Sequence, residues 1–148
     1  MSDTSLNVLP VVDVRGPRFA AWVTSAVLAA ALLTANGWAV AVQAVVFAVG
    51  AFAGLRYAPY GVLFRRLVAP RLGPVREREP EAPPRFAQLV GLLFAVVGAA
   101  GYLLGVPVVG AVATGLALVA ALLNAATGFC LGCELYLTVR RVLPVRTA

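Results

Sequence analysis

Histidine and lysine are both missing from this chain, and cysteine occurs only twice, at Cys130 and Cys133. Without imidazole, most Ser-His-Asp arrangements and most catalytic metal centres are excluded, because both normally draw on histidine. Charge is scarce as well: 12% of the 148 residues are charged, about half the share of an ordinary soluble domain. What fills the space is apolar, at 61% of the chain. That composition predicts an all-α polytopic membrane protein.

The twelve basic residues are all arginine and give a formal net charge of +6. They flank the apolar runs rather than gathering into a basic face, which favours positive-inside anchoring over nucleic-acid binding. Arg15 and Arg18 precede the first apolar run, and an A-x-A pattern at Ala39 and Ala41 raises the question of a signal peptide. The run is longer than a signal h-region and a second follows at once, so it reads as a retained span.

Four spans are expected, at about residues 19–35, 38–55, 86–104 and 106–126, each near the length that crosses a bilayer core of about 30 Å. Asn36 and Gly37 form the first turn pair, able to take left-handed dihedrals. Gly105 ends the third span, and Pro107 suits the first turn of the fourth. Residues 57–68 mix tyrosines, aliphatics and Arg65-Arg66, as an amphipathic helix in the headgroup layer would. Residues 70–85 hold proline and mixed charge and read as a solvated linker. The parts are then a first hairpin with its interfacial helix (1–68), a linker (69–85) and a second hairpin (86–148).

The hairpins look like copies. Pro17-Arg18-Phe19-Ala20 recurs as Pro84-Arg85-Phe86-Ala87, and Arg65-Arg66 has its counterpart in Arg140-Arg141. A tandem repeat of this kind predicts a pseudo-twofold axis along the membrane normal. Both inter-helix turns are uncharged, while the N-terminus, central loop and C-terminus hold every arginine, so both termini are expected in the cytoplasm. No span centre carries an ionisable group, which argues against a proton pump.

The stretch Gly128-Phe129-Cys130-Leu131-Gly132-Cys133-Glu134-Leu135-Tyr136 carries the chemistry. On the cytoplasmic side a structural disulfide would be reduced, so the pair points to redox exchange, catalysis or metal. An amphipathic helix over 133–143 is expected; if it starts near Cys130, its N-terminal dipole favours a thiolate there. Cys130 is then the attacking sulfur and Cys133 the resolving one. Glu134 opposes a thiolate unless it is protonated or accepts the thiol proton, and Arg140 and Arg141 are placed to offset it or to attract an acidic partner. Asn124 and Thr127 precede the cysteines in steps of three, either as helix–helix hydrogen-bonding groups or as a polar track toward the thiols. Zinc competes for the pair, but four ligands are needed; two cysteines suffice only at a site shared across a homodimer, or with carboxylates such as Glu134 and Asp13. No cofactor is required for exchange. A small transporter or channel subunit with a redox or metal gate is the alternative from another class.

The R-x-P-R-F start, the repeated P-R-F-A and the terminal G-F-C-x-G-C-x-x-Y resemble a bacterial four-span membrane family, the domain of unknown function numbered four-three-nine-five. The resemblance runs from about Val12 to Arg141, and Phe129 to Tyr136 is its most specific part. It implies thioredoxin-like or rhodanese-type sulfurtransferase partners, hence thiol–disulfide exchange or sulfur relay. Quinone-linked disulfide-generating enzymes fit less well, since they use more than one cysteine pair and act on the outer face.

Overall fold

The computed structural model describes residues 11–143; the first ten residues of the polar lead and residues 144–148, with Arg146, lie outside them. The order is β1 (Val11–Asp13), α1 (Arg15–Thr34), α2 (Gly37–Ala48), α3 (Pro59–Leu63), α4 (Ala69–Leu72), β2 (Arg78–Pro80), α5 (Ala82–Leu103), α6 (Pro107–Thr127) and α7 (Leu131–Val142). Wider π-type turns continue α2 over Val49–Ala53 and α3 over Phe64–Val68. The fold is all-α, apart from one short antiparallel ribbon in which Val12 pairs with Glu79.

Three helices, α1, α5 and α6, are long and apolar enough to cross a membrane; the second apolar segment, Gly37–Ala53, is shorter at 17 residues. Their outer faces keep large apolar side chains exposed, among them Leu33, Trp38, Val45, Leu93 and Val119. So extensive an apolar surface is compatible with lipid as its solvent.

Several boundaries differ from the sequence expectation, for local reasons. Helices α1 and α5 begin about four residues early and take Pro17, Pro83 and Pro84 into their first turns, where a missing N–H costs nothing. The first turn is built differently too. Ala35, not Asn36 or Gly37, takes the left-handed conformation at φ 50°. Asn36 is extended, and its side chain accepts the N–H groups of Trp38 and Ala39 at 3.0 and 3.2 Å, so it caps α2 and lets Gly37 start the helix. The linker is less solvated than expected: Arg78–Pro80 pairs with β1, and Glu81 is buried with its carboxylate accepting the Leu55 N–H at 2.8 Å.

Helices α5 and α6 pack closely, as in the second hairpin expected, whereas the first pair is not the tight hairpin expected. Helix α2 packs most extensively against α5, and α1 against α6; the contact between α1 and α2 is thinner. Glycines allow the close approaches. A Cβ at Gly101 would collide with the backbone of Gly110, and one at Gly98 would lie 2.7 Å from Thr114 Oγ1. The core between these helices is Ala31, Val40, Ala44, Phe47, Ala95 and Ala99.

One end of the bundle gathers the charge. Arg18, in the first turns of α1, donates through Nε and Nη2 to the carbonyls of Ala125 and Ala126, both at 3.1 Å, at the end of α6. Arg85, in the first turns of α5, donates to the carbonyls of Ala51 and Phe52 at the end of the α2 segment, the nearest at 2.9 Å. Carbonyls left without intrahelical partners carry the negative end of the helix dipole, which is why guanidinium groups settle there.

Candidate functional site

Helix α6 ends because Gly128 turns left-handed at φ 80°, its N–H closing on the Asn124 carbonyl at 2.8 Å. A side chain would strain that backbone, so the glycine sets the hinge before the cysteines. Cys130 is then extended and stands as the N-cap of α7, its Sγ accepting the Cys133 N–H at 3.1 Å. The helix thus starts two residues before the expected position, with Cys130 at its N-terminus. The two sulfurs are joined in a disulfide, with Cα atoms 5.1 Å apart. Both cysteines are half-buried.

Helix α7 lies on the start of α5. A Cβ at Gly132 would sit 2.5 Å from the Ala87 Cβ, so only a glycine allows this approach. One turn on, the Tyr136 and Phe86 rings meet at 5.7 Å. Ala87 and Phe86 belong to the second Pro-Arg-Phe-Ala, and Phe19 of the first copy meets Phe64 at the same 5.7 Å.

The other expected site residues separate. Glu134 is exposed in the first turn of α7 and gives its N–H to the Cys130 carbonyl at 3.0 Å. Arg140 donates to the Tyr136 hydroxyl at 2.9 Å, and among the described residues the one ion pair is Asp13–Arg15, so neither Arg140 nor Arg141 forms a bridge to Glu134. Both arginines instead line a groove of about 910 Å3 with Phe86, Tyr136, Leu137 and Arg85. Thr127 donates to the Leu123 carbonyl at 2.5 Å and accepts the Phe129 N–H at 3.2 Å. With the Gly128 hinge after it, the steps of three from Asn124 do not continue as one helical face into the cysteines. Among the described residues no three or more Cys, Asp or Glu gather as a metal-binding group within the chain.

Asp13, Glu79 and Tyr60 have shifted acidity. The Arg15 side chain, hydrogen-bonded to Asp13, holds that carboxyl below the ordinary range. Burial pushes the Glu79 carboxyl up, with Glu77 adding to it, and burial raises the Tyr60 hydroxyl. Arg18 is the site residue that sequence reasoning missed. It was legible only as an anchor, yet its Nη1 lies 3.9 Å from where a Gly128 Cβ would be, which puts its charge beside the hinge. Its place in the repeated Pro-Arg-Phe-Ala was the available signal.

These features define an all-helical protein whose last helix is capped by a cysteine pair and braced on the first turn of α5. The chain belongs to the family described as domain of unknown function (DUF4395), whose pattern matches residues 12–141. No curated protein and no solved structure matches it significantly.

Proposed function

We propose that this chain is a four-span protein of the bacterial cytoplasmic membrane, termini inside, that carries out thiol–disulfide exchange through Cys130 and Cys133 with a thioredoxin-like or sulfurtransferase partner. The observation that carries the reading is Cys130 as N-cap of α7, disulfide-bonded to Cys133 at the bundle end that also holds Arg18 and Arg85. A fourth span is supported by the 17-residue segment Gly37–Ala53, about 26 Å long at 1.5 Å per residue. The two arginine caps, each running from one Pro-Arg-Phe-Ala to the other half's helix end, support the tandem repeat.

In the reduced state the Cys130 thiolate attacks one sulfur of a partner disulfide, forming a mixed disulfide and releasing a partner thiolate. Cys133, deprotonated, then attacks Cys130 Sγ, closing the intrachain disulfide and releasing the second partner thiolate. Two electrons pass to the partner, which takes up two protons; the reverse sequence regenerates the dithiol. The N-terminal dipole of α7 and the Cys133 N–H stabilise negative charge on Cys130. In a sulfur relay the same attack on a partner persulfide moves its outer sulfur to Cys130 and releases the partner thiolate; attack by Cys133 on Cys130 Sγ then closes the disulfide and releases the outer sulfur as hydrosulfide.

The test is trapping. With Cys133→Ala in the native host, acid quenching and alkylation should leave Cys130 disulfide-linked to a partner identifiable by mass spectrometry, and adding Cys130→Ala should abolish the adduct. Stoichiometric zinc across a dimer, lost with either cysteine, would replace exchange by a metal-scaffold role.

A further inference from the structure

A second cavity, of about 780 Å3, opens between α1, the α3 segment, the ribbon and the first turns of α5, and α7 contributes nothing to its lining. Polar groups sit in its wall among apolar helices. Thr24 and Gln88 line it, and so does Tyr60, whose hydroxyl donates to Gln43 Oε1 at 2.7 Å. Gln43 is fully buried and its Nε2 reaches to 3.5 Å from Thr24 Oγ1, while Thr24 is 6% exposed. Gln43 thus ties Thr24 and Tyr60 into one polar cluster, and the latter two present it to a void of small-molecule size.

The cavity is also positive. Arg56, Arg65, Arg78 and Arg85 line it from separate segments, against the two carboxylates of Asp13 and Glu81. Both carboxylates already have protein partners: Asp13 pairs with Arg15 at 2.8 Å, and Glu81 accepts the Leu55 N–H. The guanidinium bonds, by contrast, go to neutral carbonyls, from Arg65 to Arg56 and from Arg85 to Ala51 and Phe52. Bulk anchoring accounts for arginines spread along helix ends; here four from separate segments gather on one largely apolar cavity that also presents Thr24, Tyr60 and Gln88.

We infer that this cavity binds a polar ligand that carries a glycerol-phosphate moiety, with its phosphate at the arginines and its hydroxyls against Thr24, Gln88 and Tyr60. The guanidinium fork matches phosphate oxygens in pairs; the Gln88 amide and the Thr24 hydroxyl can donate to the alcohol groups of a polyol, and the Tyr60 oxygen, its proton given to Gln43, can accept from them. The ligand chemistry is shared by a free phosphate ester and by the headgroup of an anionic phospholipid. The inference does not rest on the exchange reaction, since no cysteine faces this cavity.

The test uses the full chain in phosphatidylcholine nanodiscs, with equilibrium dialysis of radiolabelled glycerol 3-phosphate. Saturable binding is expected, weakened at least tenfold in R56Q/R78Q, weakened by added salt, and unchanged in C130S/C133S. Arg56 and Arg78 are exposed, so the double variant keeps the bundle, which gel filtration checks. A second arm reconstitutes the protein in mixed phosphatidylglycerol and phosphatidylcholine and measures retained lipid by native mass spectrometry. Selective retention of one phosphatidylglycerol, lost in R56Q/R78Q, assigns the phosphate to the bilayer; binding in the first arm alone assigns it to a soluble ester. Absence of both, or binding indifferent to R56Q/R78Q, overturns the site.

Discussion

Arg18 Nε lies 3.1 Å from the carbonyl oxygen of Ala125, so the first turns of α1 close the end of α6 across 107 residues of chain. Arg85 does the same for the end of the α2 segment. Each Pro-Arg-Phe-Ala therefore braces the opposite half of the chain, and the charge end of the bundle is cross-tied.

Replacing either arginine by alanine leaves helix-end carbonyls unpaired. A loss of about 1–2 kcal/mol is expected for each, the lower part of the range for charged hydrogen bonds because Arg18 is exposed. Lysine should restore only part, since it lacks the planar fork. Helicity followed through denaturant titration in micelles checks this; an unchanged midpoint for both alanine variants removes the brace.

Gly101 and Gly115 form a matched pair on α5 and α6. A methyl group at Gly101 meets the Gly110 backbone, whereas a Cβ at Gly115 meets nothing within 4 Å. Gly101→Ala should cost about 2 kcal/mol or more by forcing the helices apart, while Gly115→Ala should be neutral or stabilise by about 0.5–1 kcal/mol through helix propensity. Equal midpoints for the two would count against the close contact.

The Tyr60–Gln43 bond should show as coupling. Tyr60→Phe leaves Gln43 Oε1 without its donor at a cost of about 1–3 kcal/mol. Gln43→Leu in the same chain should recover part of that, and a double-mutant cycle measures the difference. Strict additivity would show that the two side chains are independent.

At Gly132 the expected effect is on the site rather than the bundle. Gly132→Ala must lift α7 from Ala87, so after reduction Cys133 should alkylate faster, about tenfold, with thermal stability of the bundle little changed. Unaltered alkylation would mean that α7 is not held by this contact.

Acid should separate the two ribbon carboxyls. Asp13 has a lowered folded-state pKa, so its contribution is present above its ordinary value near 3.8 and is lost as pH falls through the folded value. Asp13→Asn should therefore destabilise at pH 7 and converge on the native chain as pH falls through the lowered folded value. Glu79 has a raised one, so its ionised form opposes folding above that value; Glu79→Gln should stabilise at pH 7 and lose the advantage as pH falls below the ordinary 4.5. Thermal midpoints from pH 7 to 3 give both signs, and a pH-independent Asp13→Asn effect would contradict the pairing.

The helices were legible because a long apolar run has few ways to satisfy its own backbone except as a helix. Punctuation was legible in kind but not in detail. The sequence places a turn at Asn36, yet Asn36 caps α2 while Ala35 carries the left-handed strain, since capping by a side-chain oxygen competes with the left-handed preference of Asn and Gly. The cysteine site was legible for a related reason: Gly128, Cys130 and Cys133 fall within one hinge and one helical turn, so near neighbours fix most of their geometry.

By itself the sequence determined the long apolar helices and the break at Gly128 before the cysteine pair, governed by residues a turn or two apart. Tertiary structure alone decided that α1 leans on α6 and α2 on α5, that Glu81 goes inside to meet Leu55, and that Gln43 and Tyr60 share one bond. Those outcomes depend on how whole glycine- and alanine-lined faces fit together. Such shape complementarity is a property of the packed surfaces, and no local run of residues encodes it.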